Sequence, residues 1–125
     1  MSGQLNKLCN KVMKLYHGTN EEYLESIKEF GLEANCTDKP SKEDFEAGIV
    51  TEKEVVYGFN NINDAISFGY DNNDHIIICV FDVPETELEM DKEYEDGNAF
   101  TVGHDIPSYE ITYLTEDDMI EKGII

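Results

Sequence analysis

Lys14-Leu15-Tyr16-His17-Gly18-Thr19-Asn20 is a short strand running into a turn. Its apolar and aromatic residues favour extended backbone over 14–17. Gly18-Thr19-Asn20 then breaks the strand, and Thr19 and Asn20 are both candidate caps for a helix over 21–30. Tyr23, Leu24, Ile27 and Phe30 supply the apolar stripe of that helix. Gly31 stands where a helix of this length needs a C-terminal cap. A strand, a polar turn and a short capped helix therefore open the domain.

Downstream the alternation of strand and helix is irregular. Residues 33–48 are polar, contain Pro40 and read as a loop. Residues 55–57 (Val-Val-Tyr) are a short strand, and Asn60 or Asn63 is the expected cap of a second helix over 64–70. Residues 75–83 are the strongest strand signal, β-branched and closed by Pro84. Short strands are expected at 88–91 and 99–102, with an acidic turn at 93–98 between them. The alternating run 109–114 reads as a late strand, after which Thr115 caps a short terminal helix. The mixture predicts an α+β class.

The chain has 125 residues, 40% of them apolar, which suffices for one core and not two. Upstream of the opening strand, residues 1–20 hold Lys7, Lys11 and Lys14 and no acid. Residues 21–125 hold 28 acids against six lysines, a balance of −22. Leu5, Leu8 and Val12 recur at helical spacing, so 4–13 reads as a basic amphipathic helix. The organisation expected is thus a basic helical extension over 1–13 and one domain over 14–125. Packing on the acidic domain suits this extension better than a membrane surface, for which three lysines are few.

The net charge of −19 and the lack of any arginine exclude much. Phosphate-backbone binding rests on neutralisation by Lys and Arg, so nucleic acid is not an expected partner. A bidentate guanidinium clamp on a phosphate is impossible within this chain. No apolar run is long enough to span a membrane, and no hydrophobic signal core opens the sequence. Cys9, Cys36 and Cys79 are an odd, irregularly spaced set without a C-x-x-C pair. Free thiols suit a cytoplasmic location, and Cys79, inside Ile76-Ile-Ile-Cys-Val-Phe81, reads as a small buried hydrophobe. No metal is expected either. Asp71-Asn-Asn-Asp74-His75 and the acidic run 91–96 lack the glycine or distal glutamate of a calcium loop.

Leu15-Tyr16-His17-Gly18-Thr19, followed twelve residues later by Gly31-Leu32, resembles the first core strand of the ADP-ribosyltransferase fold. The similarity is to its His-Tyr-Glu branch, which includes poly(ADP-ribose) polymerases and diphtheria-type toxins. Val55-Val-Tyr57-Gly-Phe59, with Ala65-Ile-Ser-Phe68-Gly69 behind it, looks like that branch's second motif. Pro107-Ser-Tyr109-Glu110-Ile-Thr-Tyr113 is similar to the third, a late strand carrying a catalytic glutamate. The resemblance covers roughly 14–114 and implies a single-domain, split and twisted antiparallel sheet flanked by short helices. Two departures stand out. Ala65 replaces the small hydroxyl residue of the second helix, and aligning Ile111 and Tyr113 with the late strand puts Tyr109 at the catalytic position. A bulge after Pro107 restores Glu110 there; without one, the one-residue slip turns its side chain to the other face.

The resemblance implies NAD as substrate and assigns roles residue by residue. His17 holds a ribose hydroxyl, and Gly18, with Thr19 beside it, offers backbone to the nicotinamide carboxamide. Tyr57 and Phe68 clasp the nicotinamide ring. Glu110, with His17 and Tyr57, forms the catalytic set, its carboxylate stabilising the cation-like sugar. The activity implied is an NAD-dependent mono-ADP-ribosyltransferase, a glycosyltransferase class, with a basic protein as target because the surface is acidic. The lack of arginine excludes the Arg-Ser-Glu branch and argues against an RNA 2′-phosphotransferase. A small acidic chain of this make-up also suits a phage or mobile-element effector. The alternative is a catalytically inactive domain of the same fold that binds and inhibits a basic, nucleic-acid-binding protein.

Overall fold

A computed structural model describes residues 11–34, 55–90 and 97–125. Among these residues six antiparallel strands form one sheet in the order β4-β5-β2-β1-β3-β6. They are β1 (Val12–Asn20), β2 (Val56–Phe59), β3 (Ile76–Pro84), β4 (Leu88–Met90), β5 (Ala99–Val102) and β6 (Thr112–Leu114). Among the described residues three short helices flank it: α1 (Leu24–Phe30), α2 (Ile62–Asn72) and α3 (Glu116–Glu121). The class is α+β, as the sequence pattern predicts.

The strand alternation sorts the core into two layers, because successive side chains leave opposite faces of a sheet. Leu15, Cys79, Phe81, Val83, Val56 and Val102 bury with Ile27 of α1 on one face. Ile76, Ile78, Phe59 and Ala99 bury with Ala65 of α2 and Met119 of α3 on the other. Cys79 is fully buried, as its apolar neighbours imply.

β1 is longer than its sequence suggests. Val12 and Met13 belong to the strand, opposite Pro84 and Val83 of β3, and not to the end of a helix over 4–13. Met13 packs beside the α1-side core with Leu15 at the two-residue period of a strand. Residues 1–10 lie outside the described residues, as do most of the loop 33–48 and the acidic run 91–96.

The first helical segment begins as a tight 3-10 turn, Glu21–Tyr23, before α1. Asn20, and not Thr19, is its cap: the Asn20 side chain accepts a hydrogen bond from the Glu22 N–H. Thr19 remains in the strand, buried opposite Ile77. Gly31 ends α1 at a φ of 76°, which L-residues rarely adopt. α2 starts two residues earlier than expected, because Asn61 caps it, and neither Asn60 nor Asn63 does. Thr115 and Asp118 form a reciprocal capping box on α3, fitting the expected cap.

The largest revision concerns 109–114. Only Thr112–Leu114 is strand; Ser108–Glu110 is a 3-10 turn. Its backbone is satisfied locally, with the Glu110 N–H donating to the Pro107 carbonyl and the Ile111 N–H to that of Ser108. The Ser108 hydroxyl donates to the Lys28 carbonyl at 2.6 Å, which pins the turn under α1.

α2 lies unusually close to β1. A Cβ built on Gly18 would stand 2.3 Å from the Ala65 carbonyl oxygen, a backbone atom that cannot swing aside. Gly18→Ala should therefore force α2 away from the sheet and cost about 1–3 kcal/mol, the usual range for overpacking. Denaturant unfolding measures this, and unchanged stability would mean that α2 does not rest on Gly18.

Candidate functional site

β1 pairs with β3 along its whole length, from Val12 opposite Pro84 to Asn20 opposite Ile76. With β2 it is in register at Tyr16 opposite Phe59, and no other β1–β2 pair is registered among the described residues. The sheet thus opens between β1 and β2 just where His17 follows Tyr16. Continued antiparallel pairing would bring Gly18 opposite Tyr57. Instead the His17 side chain crosses the opening, its Nδ1 2.7 Å from the Tyr57 carbonyl oxygen. A carbonyl only accepts, so Nδ1 of His17 carries the hydrogen of this contact.

Aromatic rings gather at this opening. The His17 and Tyr57 rings lie 5.3 Å apart between centroids. Tyr57 meets Phe68 of α2 edge to face at 5.6 Å and 81°, and Phe68 meets Phe59 at 5.6 Å. Such tilted contacts are the favoured geometry of aromatic pairs. His17 is 1% exposed, whereas Tyr57 and Phe68 are half-buried and reach the surface. Residues from β1, β2 and α2 that the sequence singled out therefore share one site.

Two expected features of that site are revised. A ring clasped between Tyr57 and Phe68 needs parallel walls about 7–8 Å apart, twice the carbon–carbon contact distance. The observed 5.6 Å edge contact closes that space, so a planar ligand must turn Phe68 aside before it stacks on Tyr57. At Gly18, expected to leave room for a ligand, the face a Cβ would occupy is filled by the Ala65 carbonyl.

Glu110 stands apart. It is exposed on the turn before β6, and β6 is separated from β1 by β3. At roughly 4.8 Å per strand, the strand it leads into is about 10 Å from β1. Tyr109, the register alternative, stands on the same turn and is 88% exposed. Among the described strands, two exposed carboxylates share Tyr57's face: Glu89, since it and Tyr57 both stand directly opposite Thr101 of β5, and Asp82, opposite Lys14 on β1.

A second constellation, unmarked in the sequence, forms at the far end of β1. His75 Nδ1 lies 3.0 Å from Glu116 Oε1, and the Tyr70 hydroxyl donates to Glu116 Oε2 at 2.5 Å. The hydrogen bond to Glu116 holds the His75 imidazole above its ordinary 6.5. The Tyr70 hydroxyl's own bond to Glu116, helped by burial, pushes it up to about 12. Those donors, Tyr70 first, hold the Glu116 carboxyl below its usual 4.5. His75 and Glu116 are 41 residues apart, so no local motif exposes them; acids and a histidine placed at element ends are the one available hint. Elsewhere His104 links the loop after β5 to Glu87, and its pKa is raised chiefly by its bond to the Asp105 carbonyl.

The signs of these shifts define a pH window. His75, raised when folded, contributes stability that is complete below 6.5 and is lost as pH climbs through its folded pKa. Glu116, lowered when folded, contributes above 4.5 and loses it as pH falls through its folded pKa. The cluster is therefore tightest between those two values. NMR titration should find the His75 imidazole titrating above 6.5, with Glu116→Gln returning it towards that value; a wild-type midpoint at or below 6.5 refutes the pairing.

No protein-family model matches the chain, and no curated protein matches it.

Proposed function

We propose that the chain is an NAD-dependent mono-ADP-ribosyltransferase acting on a basic protein target. The observation that supports this reading is the convergence of His17, Tyr57 and Phe68 where the sheet opens between β1 and β2. In this reading the nicotinamide ring stacks on Tyr57 after Phe68 turns away. His17 orients the ligand from a position fixed by its bond to the Tyr57 carbonyl. Breaking the bond between nicotinamide and ribose develops positive charge on the sugar, and a fixed carboxylate nearby lowers that barrier. Glu89 supplies it in this reading: it is exposed on β4, with β5 between its strand and that of Tyr57, so its side chain must reach over Thr101 on their shared face. Glu110, on a turn and in no registered strand pair, takes no part in the chemical step.

A second reading is favoured by the exposure of Glu110 and Tyr109. With the carboxylate expected from the third motif turned to solvent, the domain works by binding alone, and its acidic surface captures and blocks a basic protein. The two readings share a fold and differ in turnover.

Incubation with labelled NAD and cell lysate separates them. Label transferred to a lysate protein supports the transferase, and its absence with active cofactor supports the binding module. NAD at a hundredfold excess over Kd should raise Tm by on the order of 10 °C, following about 2.7 kcal/mol of stabilisation. Tyr57→Leu should remove that shift. Glu89→Gln should lower turnover about 10²–10³-fold while NAD binding survives, and Glu110→Gln should leave both unchanged. Saturating NAD without any Tm shift overturns the cofactor assignment.

A further inference from the structure

Glu21, His75 and Glu116 each stand at an element boundary. Glu21 opens the turn after β1, His75 precedes β3, and Glu116 is the first residue of α3. One ligand-type atom from each, two carboxylate oxygens and an imidazole nitrogen, lies within 4.8 Å of the other two. Bonds of about 2.0–2.2 Å to a tetrahedral zinc ion place donor atoms about 3.3–3.5 Å from one another. The 3.0 Å between His75 Nδ1 and Glu116 Oε1 is already close to that separation. Glu21 is exposed, so its carboxylate can close the remaining gap by a change of rotamer.

The arrangement is held from behind. The Glu21 N–H donates to the His75 carbonyl at 3.2 Å, which ties two of the three donors together through their backbones. The Ile76 backbone, next to His75, adds to what holds the Glu116 carboxyl below its usual 4.5. The Tyr70 hydroxyl takes Oε2 of Glu116 and leaves Oε1 directed at His75. Asn20 donates to the Asn73 side chain, which in turn donates to the Gly69 carbonyl, so the end of β1 is tied to the end of α2. Outer bonds of this kind orient metal ligands and fix their geometry.

We propose that Glu21, His75 and Glu116 form a binding site for a divalent transition-metal ion, zinc in the first place. One imidazole and two carboxylates suit Zn²⁺ better than Mg²⁺ or Ca²⁺, which take oxygen donors throughout. Two negative donors and a chain at −19 favour a dication over the imidazole proton. On binding to the imidazolium, which carries hydrogen on both ring nitrogens, Nδ1 of His75 loses its proton to solvent and gives its lone pair to the metal. Nε2 keeps its hydrogen, so net proton release is read at a pH below 6.5. Three protein donors leave the fourth position of a tetrahedron for water or an external ligand. The inference is independent of the NAD reading, because it uses none of the same residues.

Calorimetric titration of the full chain with Zn²⁺ tests it, together with histidine-selective NMR of His17, His75 and His104. One ion should bind per chain, the His75 imidazole should shift while His17 and His104 do not, and proton release should appear as a buffer-dependent heat. His75→Ala and Glu116→Gln should each weaken binding at least tenfold. Glu21→Gln, a change at an exposed side chain, should weaken it without altering Tm of the metal-free protein, which keeps the test valid if either other variant unfolds. Zinc bound equally by wild type and all three variants overturns the site. So does Co²⁺ loading that gives an intense near-ultraviolet thiolate band, since that assigns the ion to cysteine.

Discussion

β1 is paired along all nine of its residues with β3 and at a single register point with β2. The architecture depends on that asymmetry. A strand held so completely on one side cannot follow its neighbour on the other when that neighbour diverges. The opening that results exposes backbone groups that must find partners, because unpaired buried polar groups are costly. His17 supplies one of them by donating its Nδ1 hydrogen to the Tyr57 carbonyl. The same side chain thus joins the two halves of the sheet and stands at the candidate site. His17 cannot be taken from the candidate site without also removing this link between the two strands.

Glycine extends this constraint to the second layer. Because Gly18 has no side chain, α2 brings its Ala65 carbonyl against β1, and Phe68, one turn further along α2, reaches the Tyr57 ring. Gly58 does the same on the opposite face, where a Cβ would crowd Leu15 and the Tyr16 carbonyl. Close backbone approach is what gathers three aromatic rings beside one imidazole in so small a domain.

The acidic composition is accommodated by placing carboxylates where donors are plentiful. Asp118 accepts from the Thr115 N–H in the α3 capping box, which lowers its pKa. Glu116 collects Tyr70 and His75. Asp105 accepts from the Ala34 N–H, and Asp64 from the Asn98 side chain. Each bond turns a potentially repulsive charge into a local fastening.

Features whose physics is local are legible in the residues alone. The β-branched run closed by Pro84 is a buried strand, Gly31 ends a helix at positive φ, and Thr115 with Asp118 starts one. The order of His17, Tyr57 and Phe68 was legible too, because each lies on a short element with a clear strand or helix signal. Local patterns failed where partners decide. Val12 fits the helical spacing of Leu5 and Leu8 equally well, and only the presence of β3 alongside makes it strand. Tyr109 and Ile111 alternate like a strand, yet the bond from Ser108 to the Lys28 carbonyl, eighty residues away in sequence, holds that stretch in a turn and leaves Glu110 in solvent. Glu21, His75 and Glu116 meet only because β1 and β3 are antiparallel neighbours and α3 packs at their common end. Periodicity and capping act within a few residues, whereas side-chain convergence is set by strand order and register, which only the tertiary structure fixes.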